Sequence, residues 1–152
     1  MTLAEALARR ADLATRHSAL QHRAVASAQH QKGEAPAEDP TELLSEADRV
    51  ATELEMLIRT INRTNLATEV EPGMTVTDAL ARRDVLRLRH RFRTHLADAG
   101  GDRSARYMRS EIRMVASVDV RALRREADEV ARELRALDTR IQEVNWAADL
   151  VE

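Results

Sequence analysis

Apolar residues recur at alternating steps of three and four over the last part of the chain: Val120, Leu123, Ala127, Val130, Leu134, Leu137, Ile141, Val144, Ala148 and Val151. Residues at that spacing share one stripe of an α-helix, so residues 120–151 predict a long helix lying against other helices. A second stripe runs through Leu43, Ala47, Val50, Leu54, Leu57 and Ile61, and Leu44, Ala51 and Ile58 widen it. Such a width implies more than one partner helix.

Two further helices are less regular. Leu3, Leu7, Ala14 and Leu20 form a line with Arg10 and His17 beside it, thinning toward Ala24 and Ala28. The other has Ala81, Val85, Leu88, Phe92 and Leu96 on one side and Val76, Leu80 and Leu86 nearer the opposite one, with Arg83, Asp84 and Arg87 between. A helix apolar on two sides is either central in a bundle or shared with another subunit, and a homo-oligomer is the expectation drawn from it.

Local signals set the boundaries. Thr2-Leu3-Ala4-Glu5 is a capping box, so the first helix starts almost at residue 2. Residues 33–40 hold Gly33, Pro36 and Pro40 and make a linker, after which Asp39 is the N-cap of the second helix, Pro40 its first residue and Glu42 the reciprocal carboxylate. Pro72-Gly73 is a turn, Thr75 to Asp78 a weaker cap for the third helix, Gly100-Gly101 its end, and Asp119 the cap of the last.

The period changes in residues 102–118. Ile112, Met114, Ala116 and Val118 alternate with Arg113, Val115 and Ser117, which predicts an extended or β-like connection, residues 111–118 being the most strand-like. Residues 68–70 and 74–76 are the other extended segments, so a small β element is expected at one end of the bundle, formed within the chain or between copies. The fold class is therefore all-α: one domain over residues 1–152, an antiparallel bundle of about four long helices with a small β element.

Composition agrees. With 43% hydrophobic and only 2% aromatic residues, the core is built from Leu, Val, Ile and Ala, which suits helix packing. The absence of cysteine removes thiolate chemistry, no secretory signal is visible at the amino terminus, and no stretch is apolar enough to span a bilayer. A cytoplasmic protein is expected.

Charge is unevenly placed, although the net value is only −2. Acidic residues dominate residues 34–78, whereas Arg82, Arg83, Arg87, Arg89, Arg91 and Arg93, then Arg103, Arg106, Arg109 and Arg113, make the next region basic. Those arginines are expected to pair with the acidic helix, in the same or another copy; phosphate contacts by an Arg-mediated nucleic-acid binder are the rival. His17, His22, His30, His90 and His95 include no pair on adjacent turns of one helical face, and phosphate-loop, nucleophile-elbow and metalloprotease motifs are absent, so neither an enzyme nor a cofactor is expected.

The second apolar stripe turns polar beyond Ile61, at Asn62, Thr64, Asn65 and Thr68. Two roles are open to these side chains: satisfying the backbone of the helix end and a neighbour, or lining a pocket. A composite ligand site joins Asn62 and Asn65 to Arg83 and Asp84 of the third helix and to Gln142, Asn145 and Trp146 of the last. There the arginine would clamp an anion, the indole would stack on a planar group and the amides would read hydrogen-bonding edges. A buried polar network that fixes helix register is the other account of the same residues.

Several motifs carry a family resemblance: Gly33-Glu34 with residues 36–40, Ile61-Asn62-Arg63-Thr64-Asn65, Ala79-Leu80 with Arg83-Asp84-Val85-Leu86, Ser117-Val118-Asp119-Val120, Leu137-Asp138-Thr139-Arg140-Ile141-Gln142 and Asn145-Trp146. Over nearly the whole chain they resemble, in order, a bacterial family whose members often bear the label septicolysin and are mostly uncharacterised. The resemblance brings no catalytic residues. Its label implies a pore-forming cytolysin, whose amphipathic helices would stay concealed until it oligomerises on a membrane. Heavily charged helices without a secretion signal argue instead for a non-enzymatic helical oligomer acting as an assembly or small-ligand-binding module.

Overall fold

A computed structural model describes residues 1–101 and 115–151. The fold is all-α: helices α1 (Leu3–Ala26), α2 (Pro40–Ala67), α3 (Val76–Gly101) and α4 (Val120–Ala147), with a two-stranded hairpin of β1 (Glu69–Glu71) and β2 (Met74–Thr75). Of the expected β-like connection, residues 102–114 lie outside the described residues, and residues 115–119 carry no strand.

Contacts divide the chain into two compact units, Met1–Glu69 with Glu143–Glu152, and Val70–Gln142. In the first unit α1 begins with the expected capping box: Glu5 N–H donates to the Thr2 hydroxyl at 3.2 Å and Thr2 N–H to the Glu5 carboxylate at 2.8 Å. Asp39 caps α2 by accepting from Thr41 N–H at 2.8 Å, ahead of Pro40. The two helices run antiparallel, and three ion pairs one heptad apart along α1 fix their register: Arg9 with Glu53, Arg16 with Glu46, and Arg23 with Glu38.

Between them lie Leu3, Ala6, Leu13 and Leu20 of α1 and Leu43, Ala47, Val50, Leu57 and Ile61 of α2. Small Ala6 and Ala47 let the backbones approach, and each fully buried Leu or Ile contributes about 1.5–3 kcal/mol. The α2 seam is the expected one, but its widening line is only partly covered, because Leu44 is 57% exposed. On α1 the inner line passes through Ala6 and Leu13, while Ala14 is exposed. Exposed Arg10 and half-buried His17 occupy the intervening positions and hide the line from an apolar-only reading.

The carboxy-terminal segment completes this unit. Leu3 N–H donates to the Ala148 carbonyl at 2.8 Å, Leu150 N–H to the Met1 carbonyl at 3.0 Å, and Thr2 bridges Asp149 in antiparallel fashion. These bonds satisfy groups that helix ends leave open.

In the second unit Pro72-Gly73 turns the hairpin, Gly73 adopting the positive φ of 78° that glycine tolerates. The cap of α3 is reciprocal: Asp78 N–H donates to the Thr75 hydroxyl at 3.2 Å and Thr75 N–H to the Asp78 carboxylate at 3.0 Å. Asp119 caps α4 by accepting from Ala122 N–H at 2.9 Å. Ala79 and Leu86 of α3 pack with Leu137 and Ile141 of α4, joined by Val70 and Met74 of the hairpin. Along α4 the predicted stripe is buried or half-buried from Val120 to Ala148, and only Val151 is exposed.

Of the two apolar lines on α3, the described chain covers one. Val76, Ala79, Leu86 and Ala97 are buried, whereas Val85, Leu88 and Phe92 are 45%, 55% and 67% exposed. Half-buried Arg83, His90 and Arg93 complete the inner line. Arginine fits there because its aliphatic stem covers apolar surface while its head reaches a carboxylate, as Arg93 does with Glu126 at 3.1 Å.

Candidate functional site

Where α2 turns polar, Thr64 is fully buried. Its hydroxyl donates to the Thr60 carbonyl at 2.9 Å and accepts the Val151 N–H at 3.0 Å, so both of its roles are used on backbone. Of the two roles open to Thr64, backbone satisfaction is the one observed. Thr68 N–H closes the helix by donating to the Thr64 carbonyl at 2.9 Å.

The expected ligand residues fall in different units. Asn62, Asn65, Asn145 and Trp146 belong to the first, where Asn62 is exposed, Asn65 half-buried, Asn145 buried and Trp146 68% exposed. Arg83, Asp84 and Gln142 belong to the second, where Asp84 and Gln142 are exposed. Arg83 lies within 3.6 Å of Asp84 and 4.0 Å of Asp138, and its Nε is buried without a hydrogen-bond partner. Two carboxylates so near the guanidinium already supply the charge an anion would bring.

Within the second unit, arginines of α3 pair with carboxylates of α4 and the hairpin. Arg82 reaches Glu133 at 2.6 Å and Glu71 at 4.0 Å, and Arg87 lies 3.9 Å from Asp138. Arg140 of α4 likewise pairs with Glu71. In the first unit Glu46 and Glu53 of α2, and Glu38 ahead of it, pair with α1.

The Arg23 guanidinium holds the Glu38 carboxyl below its ordinary pKa chiefly by hydrogen bonding, and Arg16 does the same to Glu46. The two Thr75 bonds lower Asp78 in the same way. Glu38 and Glu46 line an open, charged groove of about 520 Å³ at the start of α2, together with Arg23 and Arg49. Glu38 and Glu46 have cations beside them, Arg23 and Arg16, while Asp39 is taken up by the cap of α2. Among the described residues no group of three or more His, Cys, Asp or Glu is placed to hold a metal ion.

Two grooves are apolar. One, of about 290 Å³, lies between α1 and α2, lined by His17, Ala51, Leu54 and Ile58 with Glu55 and Arg59 at its rim. The other, of about 450 Å³, runs beside the exposed line of α3, lined by Ala81, Val85 and Leu86 with Arg82, Arg89 and Glu133 around them. Exposed Leu88 and Phe92 lie on the same face of α3 as Ala81 and Val85, and together they form an apolar strip on one helix. No described helix is long and apolar enough to cross a membrane.

This chain belongs to a family of unknown function, DUF6847, which it matches over residues 2–150. It is also similar to a functionally unknown conserved protein from Corynebacterium diphtheriae, known from a crystal structure, at 44% identity and a TM-score of 0.94, with 99% of each chain covered. No curated protein matches. The expectation of a largely uncharacterised family is thus met, and neither description carries the septicolysin label.

Proposed function

We propose that this member of the family is a non-enzymatic, cytoplasmic assembly module that works as a homo-oligomer. One observation carries the reading: Val85, Leu88 and Phe92 of α3 lie in solvent on the side opposite Ala79 and Leu86, at the spacing of a helix-packing seam. Large apolar side chains placed contiguously on a surface are the mark of an interaction site. The flanks of the strip, Arg82, Asp84, Arg89 and Arg91, supply the polar rim such sites carry.

Sedimentation equilibrium from low to high micromolar concentration tests it. A mass that rises to a multiple of the chain supports the reading, and a monomer throughout overturns it. Dye release from anionic vesicles, or duplex DNA binding that weakens steeply with salt, would replace it with a membrane-acting or a nucleic-acid-binding function. Trp146, the single tryptophan and an exposed one, is where a small planar ligand would stack, and its fluorescence reports such binding directly.

A further inference from the structure

We propose that the exposed strip of α3 is the seat of a second copy of this chain, whose own α3 lies across it antiparallel with Val85 of each copy against Leu88 of the other. The inference rests on the self-association reading and adds the surface, the orientation and the register.

Volume selects the orientation. Around a twofold axis every contact made in one direction is repeated in the other. With Val85 facing the partner's Leu88, the same register sets Ala81 against the partner's Phe92, so the smallest residue of the strip meets the largest and a medium pair fills the middle. Layers of similar volume pack without voids. A parallel pair would set alanine on alanine and phenylalanine on phenylalanine, leaving a gap at one end and crowding at the other. Beside Ala81 the chain offers the groove of about 450 Å³ bounded by Val85 and Leu86, open and apolar at its floor. The partner's Phe92, 67% exposed in the single chain, arrives over it.

Charge agrees with the register. On one flank it brings Asp84, which also neighbours Arg83 at 3.6 Å and Arg87 at 3.8 Å but keeps a largely exposed carboxylate, opposite the partner's Arg91, twice by symmetry. On the other flank Arg82 meets the partner's Arg89, but Arg82 is already held by Glu133 at 2.6 Å and lies 4.0 Å from Glu71, so it does not arrive as a bare cation. Arg89 lines the same groove as Glu133. Complementary flanks of this kind fix register and exclude wrong pairings more than they add affinity.

Cross-linking reads the geometry without background, because the chain has no cysteine. Ala81→Cys and Phe92→Cys chains, mixed and oxidised, are expected to give only the mixed disulfide, since like positions lie about 16 Å apart along antiparallel helices. Self-disulfides of either variant would overturn the orientation. A dimeric mass with no disulfide would overturn the surface while leaving self-association standing; a monomeric wild type would overturn both. A charge exchange guards against harm from losing Phe92. Asp84→Arg and Arg91→Asp are each expected to weaken dimerisation roughly 5- to 50-fold, and the double variant to return within about threefold of wild type because the exchanged charges again oppose each other. Failure of that rescue, with each variant melting as wild type does, would overturn the register.

Discussion

The hydroxyl of Thr64 accepts the backbone N–H of Val151 at 3.0 Å, joining two residues 87 positions apart. The bond occupies a fully buried side chain and ties the carboxy-terminal segment to the last turn of α2. Thr64→Val keeps the shape and removes both the acceptor of the Val151 N–H and the donor to the Thr60 carbonyl. Urea unfolding should show a loss of about 1–3 kcal/mol, whereas exposed Asn62→Ala should stay within about 0.5 kcal/mol of wild type.

The α1 register makes a sharp contrast between neighbours. Leu13 is 7% exposed and Ala14 is exposed. Leu13→Ala should cost about 2–5 kcal/mol through lost burial and the cavity left behind. Ala14→Gln should change chemical stability by less than about 0.5 kcal/mol. Equal effects at the two positions would mean the helix is rotated from the face described.

Gly100 and Gly101 should respond oppositely to alanine. A Cβ on Gly100 would meet Val118 Cγ2 at 2.8 Å and Val120 Cγ2 at 3.0 Å, and β-branched side chains have few rotamers to retreat into. The variant is expected to lose about 1–3 kcal/mol from overpacking. At Gly101 the nearest atoms stand at 3.5 and 3.7 Å, so alanine fits there and should gain up to about 1 kcal/mol in helix propensity. Paired thermal melts decide between these outcomes.

Acid should loosen the protein through carboxylates whose folded pKa values are depressed: Glu38 by Arg23, Glu46 by Arg16 and Asp78 by Thr75. A depressed folded pKa contributes stability above the ordinary carboxylate value, about pH 4, and that contribution disappears as pH falls through the folded one. Urea midpoints should therefore drop below about pH 4.5. Asp78→Asn should lower the midpoint at neutral pH and flatten the acid slope, because the substituted side chain has no proton to take up.

Sequence pattern revealed the seams of α2 and α4 because Leu, Ile and Val occupy nearly every inward position. It misjudged α1 and chose no side of α3, since Arg10, His17, Arg83, His90 and Arg93 stand on the inward lines and only packing shows that such side chains lie along a neighbour. Two roles were legible for Thr64, but not which prevailed, because the deciding N–H comes from Val151, far along the chain. The charge imbalance between α2 and α3 was legible as well. Its partners were not: within one unit Arg9, Arg16 and Arg23 pair with Glu53, Glu46 and Glu38, and within the other Arg82, Arg83 and Arg93 lie beside Glu133, Asp138 and Glu126, pairings that no sequence pattern specifies.

Residues 143–151 complete the unit to which α1 and α2 belong, although they are made after the whole of the second unit. During synthesis the α1–α2 hairpin therefore emerges with Thr64 and the Leu3 N–H still waiting for Val151 and Ala148. A chain cut short after Gln142 would leave that surface unfinished, to be closed only when residues 143–151 are supplied.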